Sequence, residues 1–235
     1  MSSSEDTYTF DDIAVVMGTY NEEAAIETVI NDINEATNGQ AEIICVDSST
    51  DNTAEIAKEL GATVISQEPQ GYGVALQTAF SATDKPVIIT TDCDDTYPLE
   101  CIPDFLEEIN NGYDVVSGDR LYFGAEYMPS LNKIGNILFA LVSSVFLKTR
   151  VHDVTTGMRA YRREVLSSIT WTENTGLSAE LLIRPIFRGY RVKEIPIKYG
   201  ARKGQTTLDP IGGGVAIFTS ILTVSLKEHL RQLKY

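Results

Sequence analysis

The order of apolar and polar residues divides most of the chain into alternating strands and helices. Short apolar or β-branched runs predict strands at residues 13–17, 42–46, 63–65, from 87, 114–117 and 191–197. Helical spacing and helix-start residues predict helices at 24–36, 54–60, 74–82, 98–110 and 176–188. Strands that alternate with helices pair in parallel through right-handed connections. The pattern therefore predicts an α/β fold with a doubly wound, mostly parallel sheet.

The stretch from Val87 to Pro98 is where candidate chemistry first enters. A strand apolar enough to be buried on both faces runs into Asp92, Asp94 and Asp95. Ligand sites of parallel sheets lie beyond the carboxyl ends of the strands. Two carboxylates on one turn suit Mg²⁺ or Mn²⁺, which keep positions for substrate phosphates. The alternative is an acidic surface turn that caps the next helix.

Charge is divided unevenly along the chain, whose formal net charge is −14. Residues 1–132 hold 3 of the 19 basic and 26 of the 33 acidic residues, and residues 133–235 hold the other 16 and 7. A salt-adapted surface explains the acidic part only. The basic part predicts an anionic partner. Phosphate groups or an anionic membrane surface fit better than nucleic acid, because no nucleic-acid motif is visible.

Composition limits the cellular setting. A hydrophobic content of 43% in 235 residues supports a sizeable core. Cys45, Cys93 and Cys101 have no paired spacing, which predicts free thiols in a reducing compartment. Residues 1–12 are polar and acidic, so we expect a disordered lead-in and no secretory signal.

Two apolar segments in the basic part suggest contact with a membrane. Residues 134–147 carry no charge and are flanked by Lys133, Lys148 and Arg150. A bilayer span needs about 20 apolar residues, so this segment is either a buried core helix or an interfacial helix. Residues 211–226 are also apolar and continue as an amphipathic tail to 235. We expect peripheral association with the cytoplasmic face of the membrane.

Five short segments carry a resemblance to a known family. They are Thr19–Glu22, Val46–Thr53, Gly71–Gly73, Asp92–Asp94 and Asp153–Arg159. Their order and spacing resemble the family 2 glycosyltransferases of GT-A fold, in particular the dolichyl-phosphate mannosyl- and glucosyltransferases. The resemblance implies a transferase domain at 13–210, with a nucleotide-sugar half at 13–130 and an acceptor half at 131–210. Residues 211–235 would form the amphipathic tail.

The resemblance also implies roles for single residues. The nucleotide sugar would be bound by Thr19, Tyr20, Glu22, Asp47, Gly73 and Asp92. Asp92 and Asp94 would hold Mg²⁺ or Mn²⁺ with the diphosphate, and Arg120 and Arg159 would face phosphates. Gly204–Thr207 replaces the lysine-containing G-x-S-K of the family, and Arg202 and Lys203 are the nearest substitutes.

The implied reaction is inverting transfer of a hexose from a nucleotide sugar to dolichyl phosphate for protein glycosylation. UDP-glucose is favoured as donor, and GDP-mannose is also compatible. A phosphate with a second pKa near 6 arrives ionised, so no general base is needed and Arg120, Arg159 and Arg202 would hold it.

Two other functions are compatible with the sequence. One is extension of a lipid-linked glycan at a sugar hydroxyl, for which Glu180 or Asp153 would be the base. The other is non-catalytic binding of nucleotide sugars, which the pair Asp92 and Asp94 argues against. Arg184, Arg188 and Arg191 are expected to be solvated charges.

Overall fold

The computed structural model describes residues 7–204 and 210–233, which form one seven-stranded sheet covered by helices. The strands are β1 (Ile13–Thr19), β2 (Glu42–Asp47), β3 (Thr63–Ser66), β4 (Val87–Thr90), β5 (Val115–Asp119), β6 (Arg159–Arg162) and β7 (Val192–Pro196). The helices are α1 (Ile26–Ala36), α2 (Thr53–Glu59), α3 (Tyr72–Ser81), α4 (Ile102–Asn110), α5 (Ser130–Leu147), α6 (Arg163–Ser168), α7 (Leu177–Phe187) and α8 (Pro210–Gln232).

The sheet has the order β3-β2-β1-β4-β6-β5-β7. All pairs are parallel except those of β6, which runs antiparallel to both β4 and β5. The predicted α/β class and mostly parallel sheet are confirmed. The pattern did not predict β6 and α6, because the four residues of β6 begin and end with arginine and show no apolar run.

Both faces of the sheet are covered, which explains the continuous apolar strands. Alternate residues of β1 point to opposite sides. Val15 packs with Ile30 of α1 and Phe105 of α4 in one cluster, whereas Val16 packs with Leu76 of α3 in another. The carboxyl ends of β1, β2 and β4 lie side by side in the parallel register and form one edge of the sheet.

A third apolar cluster joins α5, α7 and α8. Phe139 and Ala140 on one face of α5 are buried there, whereas Ile134, Leu141 and Val145 on its other face are 60–77% exposed. The buried-core alternative for residues 134–147 therefore describes only one face of the helix, and the interfacial alternative stays a prediction for the exposed face. We call the exposed apolar side chains of α5 and α8 the apolar face. It comprises Leu131, Ile134, Ile137, Leu138, Leu141, Val145, Ile211, Val215, Leu222, Leu226 and Leu230.

The lengths of α5 and α8 correct one expectation. With 18 and 23 residues they are longer than the apolar segments seen in the sequence, because α5 begins earlier, at Ser130, and α8 continues through polar residues to Gln232. By length and composition alone both helices could cross a membrane, so the expectation that they are too short was wrong. Only 17% of α5 and 28% of the matching window of α8 are buried.

Candidate active site

The ends of β1 and β2 present a paired threonine and aspartate. Thr19 and Asp47 face each other in the parallel register, and the Thr19 hydroxyl donates to Asp47 Oδ1 at 2.7 Å. Asp47 also accepts from the Ser49 hydroxyl at 2.6 Å and the Ser49 N–H at 3.1 Å. Tyr20 follows directly and is 44% exposed. This edge therefore holds a fixed carboxylate, and an exposed tyrosine follows Thr19 in the chain. Their binding of a nucleotide stays a prediction.

The end of β4 brings in the acidic triplet. Asp94 is buried and accepts hydrogen bonds from the hydroxyl and N–H of Thr96. Arg202 donates through Nη1 to Asp94 Oδ2 and through Nη2 to Glu22 Oε1, both at 2.6 Å. Lys203 donates its N–H to the Asp94 carbonyl at 2.9 Å and pairs with Asp95 at 2.8 Å. The structure thus brings Glu22, Asp94 and Arg202 together, whereas Gln205–Thr207 of the family motif lie outside the described residues.

Burial shifts the ionisation of this edge. Desolvation raises the pKa of Glu22 to about 7, against the opposing effect of Arg202, and the charge of Asp94 adds to the increase. Desolvation, again with the charge of Asp94, raises the pKa of Asp92 to about 6. Both carboxyl groups therefore hold protons more tightly than exposed acids do, and a cation beside them would favour their ionised forms.

The residues at this edge fit a divalent cation that arrives with a diphosphate. Within residues 7–204 and 210–233 no group of three or more His, Cys, Asp or Glu side chains is arranged as a closed metal cage. Mg²⁺ needs only one or two carboxylates when substrate phosphates supply the other ligands. Asp92 and Asp94 provide that number. Moreover, Glu22 Oε2 is buried without a hydrogen-bond partner in the described part of the chain.

Arg120 is held in a buried ion pair. Its Nε and Nη2 donate to the two oxygens of Asp153 at 2.6 and 2.9 Å, and Nη1 donates to the Tyr97 hydroxyl at 3.2 Å. Its guanidinium also lies 5.4 Å from the centre of the Tyr199 ring. Burial would raise the pKa of Asp153, but Arg120 lowers it. Asp153 therefore balances Arg120 and is a poor general base. The contact of Arg120 with a phosphate stays a prediction.

The structure contradicts the predicted role of Arg159, which was contact with a substrate phosphate. It begins β6 and is 1% exposed. Its guanidinium donates to the Ser117 hydroxyl at 2.9 Å and to the carbonyls of Ser178 and Val154 at 2.6 and 2.8 Å. Because antiparallel pairing of β6 places this side chain inside the fold, Arg159 joins β5 and α7 and does not face a substrate phosphate.

The structure also contradicts the suggested role of Glu180 as a base. This fully buried side chain of α7 accepts from the N–H groups of Thr172 and Glu173 and pairs with Arg184 at 2.6 Å. Arg184 in turn contacts Glu228 of α8. Glu180 is therefore unavailable as a base for a sugar hydroxyl. Arg184, which we expected to be solvated, is 6% exposed because carboxylates from two helices surround it.

Gly71–Gly73 forms both features that the sequence suggested, a helix start and a close backbone approach. Gly71 has φ +100° and precedes α3, and a Cβ on Gly73 would lie 2.7 Å from the backbone of Asn174. No sequence pattern pointed to a role for Tyr72, Tyr97 or Asn174. Tyr97 lies beside the acidic triplet in sequence, which is a usable signal. Asn174 is 101 residues from Gly73, and no local pattern connects them.

Comparison with known proteins agrees with this geometry. The model of glycosyl transferase family 2 matches residues 14–170. Dolichyl-phosphate hexose transferase of Haloferax volcanii is 63% identical over 95% of this chain and 98% of its own length. Dolichol-phosphate mannosyltransferase of Pyrococcus furiosus is 29% identical over 83% of this chain and 59% of its own length.

A solved structure shows the same fold. Glucosyl-3-phosphoglycerate synthase of Mycobacterium tuberculosis, in complex with Mn²⁺, UDP-glucose and phosphoglyceric acid, superposes with a TM-score of 0.74 at 25% identity. The match covers 91% of this chain and 79% of that one. The predicted family and fold class are confirmed: the chain belongs to glycosyl transferase family 2 and is a glycosyltransferase.

Proposed function

We propose that this enzyme transfers a hexose from a nucleotide sugar to dolichyl phosphate, with UDP-glucose as the favoured donor and GDP-mannose as the alternative. The observation that carries the proposal is the meeting of Thr19, Asp47, Asp92 and Asp94 at one sheet edge. It is supported by the 63% identity to the Haloferax volcanii protein named dolichyl-phosphate hexose transferase. Glycosylation of proteins would be the use of the product.

On the donor side, Tyr20 and the Thr19–Asp47 pair would bind the nucleoside, and Glu22 and Gly73 would border it. Asp92 and Asp94 would hold Mg²⁺ or Mn²⁺. The cation would neutralise the nucleoside diphosphate as it leaves. Arg202 already bridges Glu22 and Asp94, so its charge lies where phosphate oxygens would arrive.

On the acceptor side, the lipid phosphate would attack the anomeric carbon directly. A phosphate oxygen forms the new bond, the bond to the diphosphate breaks with its electron pair, and the configuration inverts. No proton has to be removed, since the phosphate is ionised near neutral pH. The ion pairs that hold Glu180 and Asp153 favour this acceptor over a sugar hydroxyl, which would need a base.

The apolar face would contact the membrane and so bring the candidate active site close to its lipid acceptor. Tyr122, Phe123 and Tyr127, just before α5, are 58–67% exposed and extend it with aromatic rings. Aromatic rings and basic flanks are typical of helices that lie in the membrane interface. We therefore place the protein on the anionic, cytoplasmic surface of the membrane as a peripheral enzyme.

The test is incubation of the purified protein and MnCl₂ with a panel of nucleotide sugars and, as acceptor, either dolichyl phosphate or a lipid-linked glycan. We expect one sugar to yield an acid-labile glycosyl phosphate lipid. Asp92→Asn and Asp94→Asn should each lower transfer by at least about 100-fold, as loss of charge stabilisation does elsewhere. Asp104→Asn, on the exposed side of α4, is the matched control. Full turnover in either variant or in chelator would contradict the metal assignment. Product only on a lipid-linked glycan would favour the hydroxyl acceptor.

A further inference from the structure

One asparagine fixes the turn that begins α3. Asn174 Nδ2 donates to the Gln70 carbonyl at 2.7 Å, and Asn174 Oδ1 accepts from the Gly73 N–H at 2.9 Å. A Cβ on Gly71 would lie 2.7 Å from Asn174 Nδ2. A single side chain therefore binds the backbone on both sides of the turn, and the two glycines make room for it.

This turn carries Tyr72 to the carboxylate edge. The first turn of α3 packs on the end of β1, where a Cβ on Gly18 would lie 3.0 Å from the Ala75 Cβ. Tyr72 is half-buried, and desolvation together with the nearby Asp92 raises its pKa. In return, the nearby Tyr72 side chain acts against the effect of burial on the pKa of Asp92. The position of the turn therefore sets the position of a hydroxyl beside Asp92.

Residues 172–176, which include Asn174, are fixed by contacts with α7 and α8. The Glu180 carboxylate accepts from the N–H groups of Thr172 and Glu173. Ser220 of α8 donates to the Glu173 carboxylate and leaves no space for a Cβ on Gly176. The apolar helix α8 thus backs the segment whose asparagine fixes the donor-side turn.

We propose that Asn174 is a positioning residue for donor binding, which fixes the Gly71–Gly73 turn and thereby holds Tyr72 beside Asp92. This rests on the proposed function, in which Asp92 meets the diphosphate of the nucleotide sugar. Without the Asn174 side chain, the Gly73 N–H and the Gln70 carbonyl lose their partner, and the turn is no longer fixed from that side. Ser220 acts indirectly, because it contacts residues 172–176 and touches neither the Gly71–Gly73 turn nor Asp92.

The test compares Asn174→Ala, Tyr72→Phe and the double variant with wild type. Asn111→Ala, an exposed asparagine after α4, is the control. We measure KM for UDP-glucose and GDP-mannose with MnCl₂, KM for dolichyl phosphate, kcat and melting temperature. Asn174→Ala should raise donor KM by about tenfold, the equivalent of one hydrogen bond, with acceptor KM unchanged. Because both residues act through the same contact, the double variant should cost less than the two single effects combined.

Further variants keep the inference falsifiable. Ser220→Ala should raise donor KM less than Asn174→Ala does. If Asn174→Ala does not fold, Asn174→Asp, which keeps an oxygen for the Gly73 N–H, and Tyr72→Phe decide the matter. An unchanged donor KM in Tyr72→Phe overturns the inference, as do fully additive effects of the two substitutions.

Binding of UDP and GDP with MnCl₂, measured by calorimetry, separates this inference from the proposed function. A wild type that binds neither nucleotide and transfers neither sugar contradicts the proposed function itself. An active wild type whose donor KM is unaffected by Asn174→Ala contradicts only the role of Asn174. A lower kcat at unchanged donor KM also contradicts it, because positioning of the donor requires the KM to respond.

Discussion

At the sheet edge, Glu22 and Asp92 ionise above the usual range of carboxylic acids, with pKa values of about 7 and about 6. Protons must leave these groups before the edge can attract a cation. Raised pKa values also mean that the folded state holds these protons more tightly than the unfolded chain. Their contribution to stability is therefore present below about pH 4, where the unfolded carboxyls titrate, and is lost as pH rises through 6 to 7.

The first prediction concerns Mn²⁺ and pH. Affinity for Mn²⁺ with UDP should increase between about pH 5 and about pH 8, by up to about tenfold per pH unit for each proton released. Calorimetry across this range measures it. Glu22→Gln serves as the comparison, since it should remove the part of the increase near pH 7 and leave the part near pH 6. An affinity independent of pH would show that these groups are already ionised.

The second prediction concerns Glu180. Glu180→Gln breaks the buried pair with Arg184 and should lower the free energy of unfolding by about 3 kcal/mol or more. Transfer per folded molecule should stay within about tenfold of wild type, because loss of a general base costs about 10²-fold or more. Denaturant unfolding and turnover measure the two effects, with exposed Glu164→Gln on α6 as control. A large loss of turnover at unchanged stability would restore Glu180 as a base.

The residues predicted well are those that follow a strand in the chain itself. Asp47 and Asp92 were located correctly because the end of a parallel strand is visible as the end of an apolar run. Arg159 was misjudged because its partners, Ser117 and Ser178, come from other segments. A buried arginine and a substrate-binding one look the same in sequence. The fold decides between them by which carbonyls and carboxylates it brings near.

Among the elements, α5 has two apolar sides with different neighbours. Phe139 packs against Phe218 of α8 with 6.4 Å between ring centres, whereas Leu141 and Val145 have no such cover in the described structure. The length of the apolar segment 134–147 predicted a helix. It could not predict that one side of this helix is buried while the other is exposed. Which side is covered depends on where α7 and α8 pack.

This difference gives the third prediction. Leu141→Ser with Val145→Ser should weaken sedimentation with anionic liposomes by about tenfold or more, since each buried aliphatic side chain contributes about 1.5–3 kcal/mol. The melting temperature should not fall. Phe139→Ser, on the covered side, should instead destabilise the fold by about 3 kcal/mol. Equal liposome binding by the double variant and wild type would remove the apolar face as the membrane contact.

For the whole molecule, charge of one sign is concentrated in the part that forms β1 to β5. Residues 1–132 hold 26 acidic residues and 3 basic ones. Such a surface repels itself at low ionic strength, where the Debye length is long. The basic residues 133–235 would meet anionic lipids, and salt screens that attraction too. Salt should therefore act in opposite directions on the fold and on membrane binding.

The fourth prediction follows from this opposition. The melting temperature should increase from about 0.05 M to about 2 M KCl, because screening reduces repulsion within the acidic part. Liposome sedimentation should decrease over the same range, because the basic flanks are screened as well. Sucrose at equal osmolality is the control for solvent exclusion, and it should stabilise the fold without releasing the protein from lipid. A melting temperature that does not increase with KCl would contradict salt adaptation.

The position of β6 between β4 and β5 has a consequence for the protein while it is being made. A ribosome delivers β4, β5 and all of α5 before Arg159, where β6 begins. Until then β4 has one open edge and β5 has no neighbour in the sheet, since its partners are β6 and β7. The nascent chain therefore presents unpaired strands together with an uncovered apolar helix. Unpaired strands and an exposed apolar helix both promote aggregation. Binding of α5 to a lipid surface during synthesis would cover the apolar helix before β6 completes the sheet.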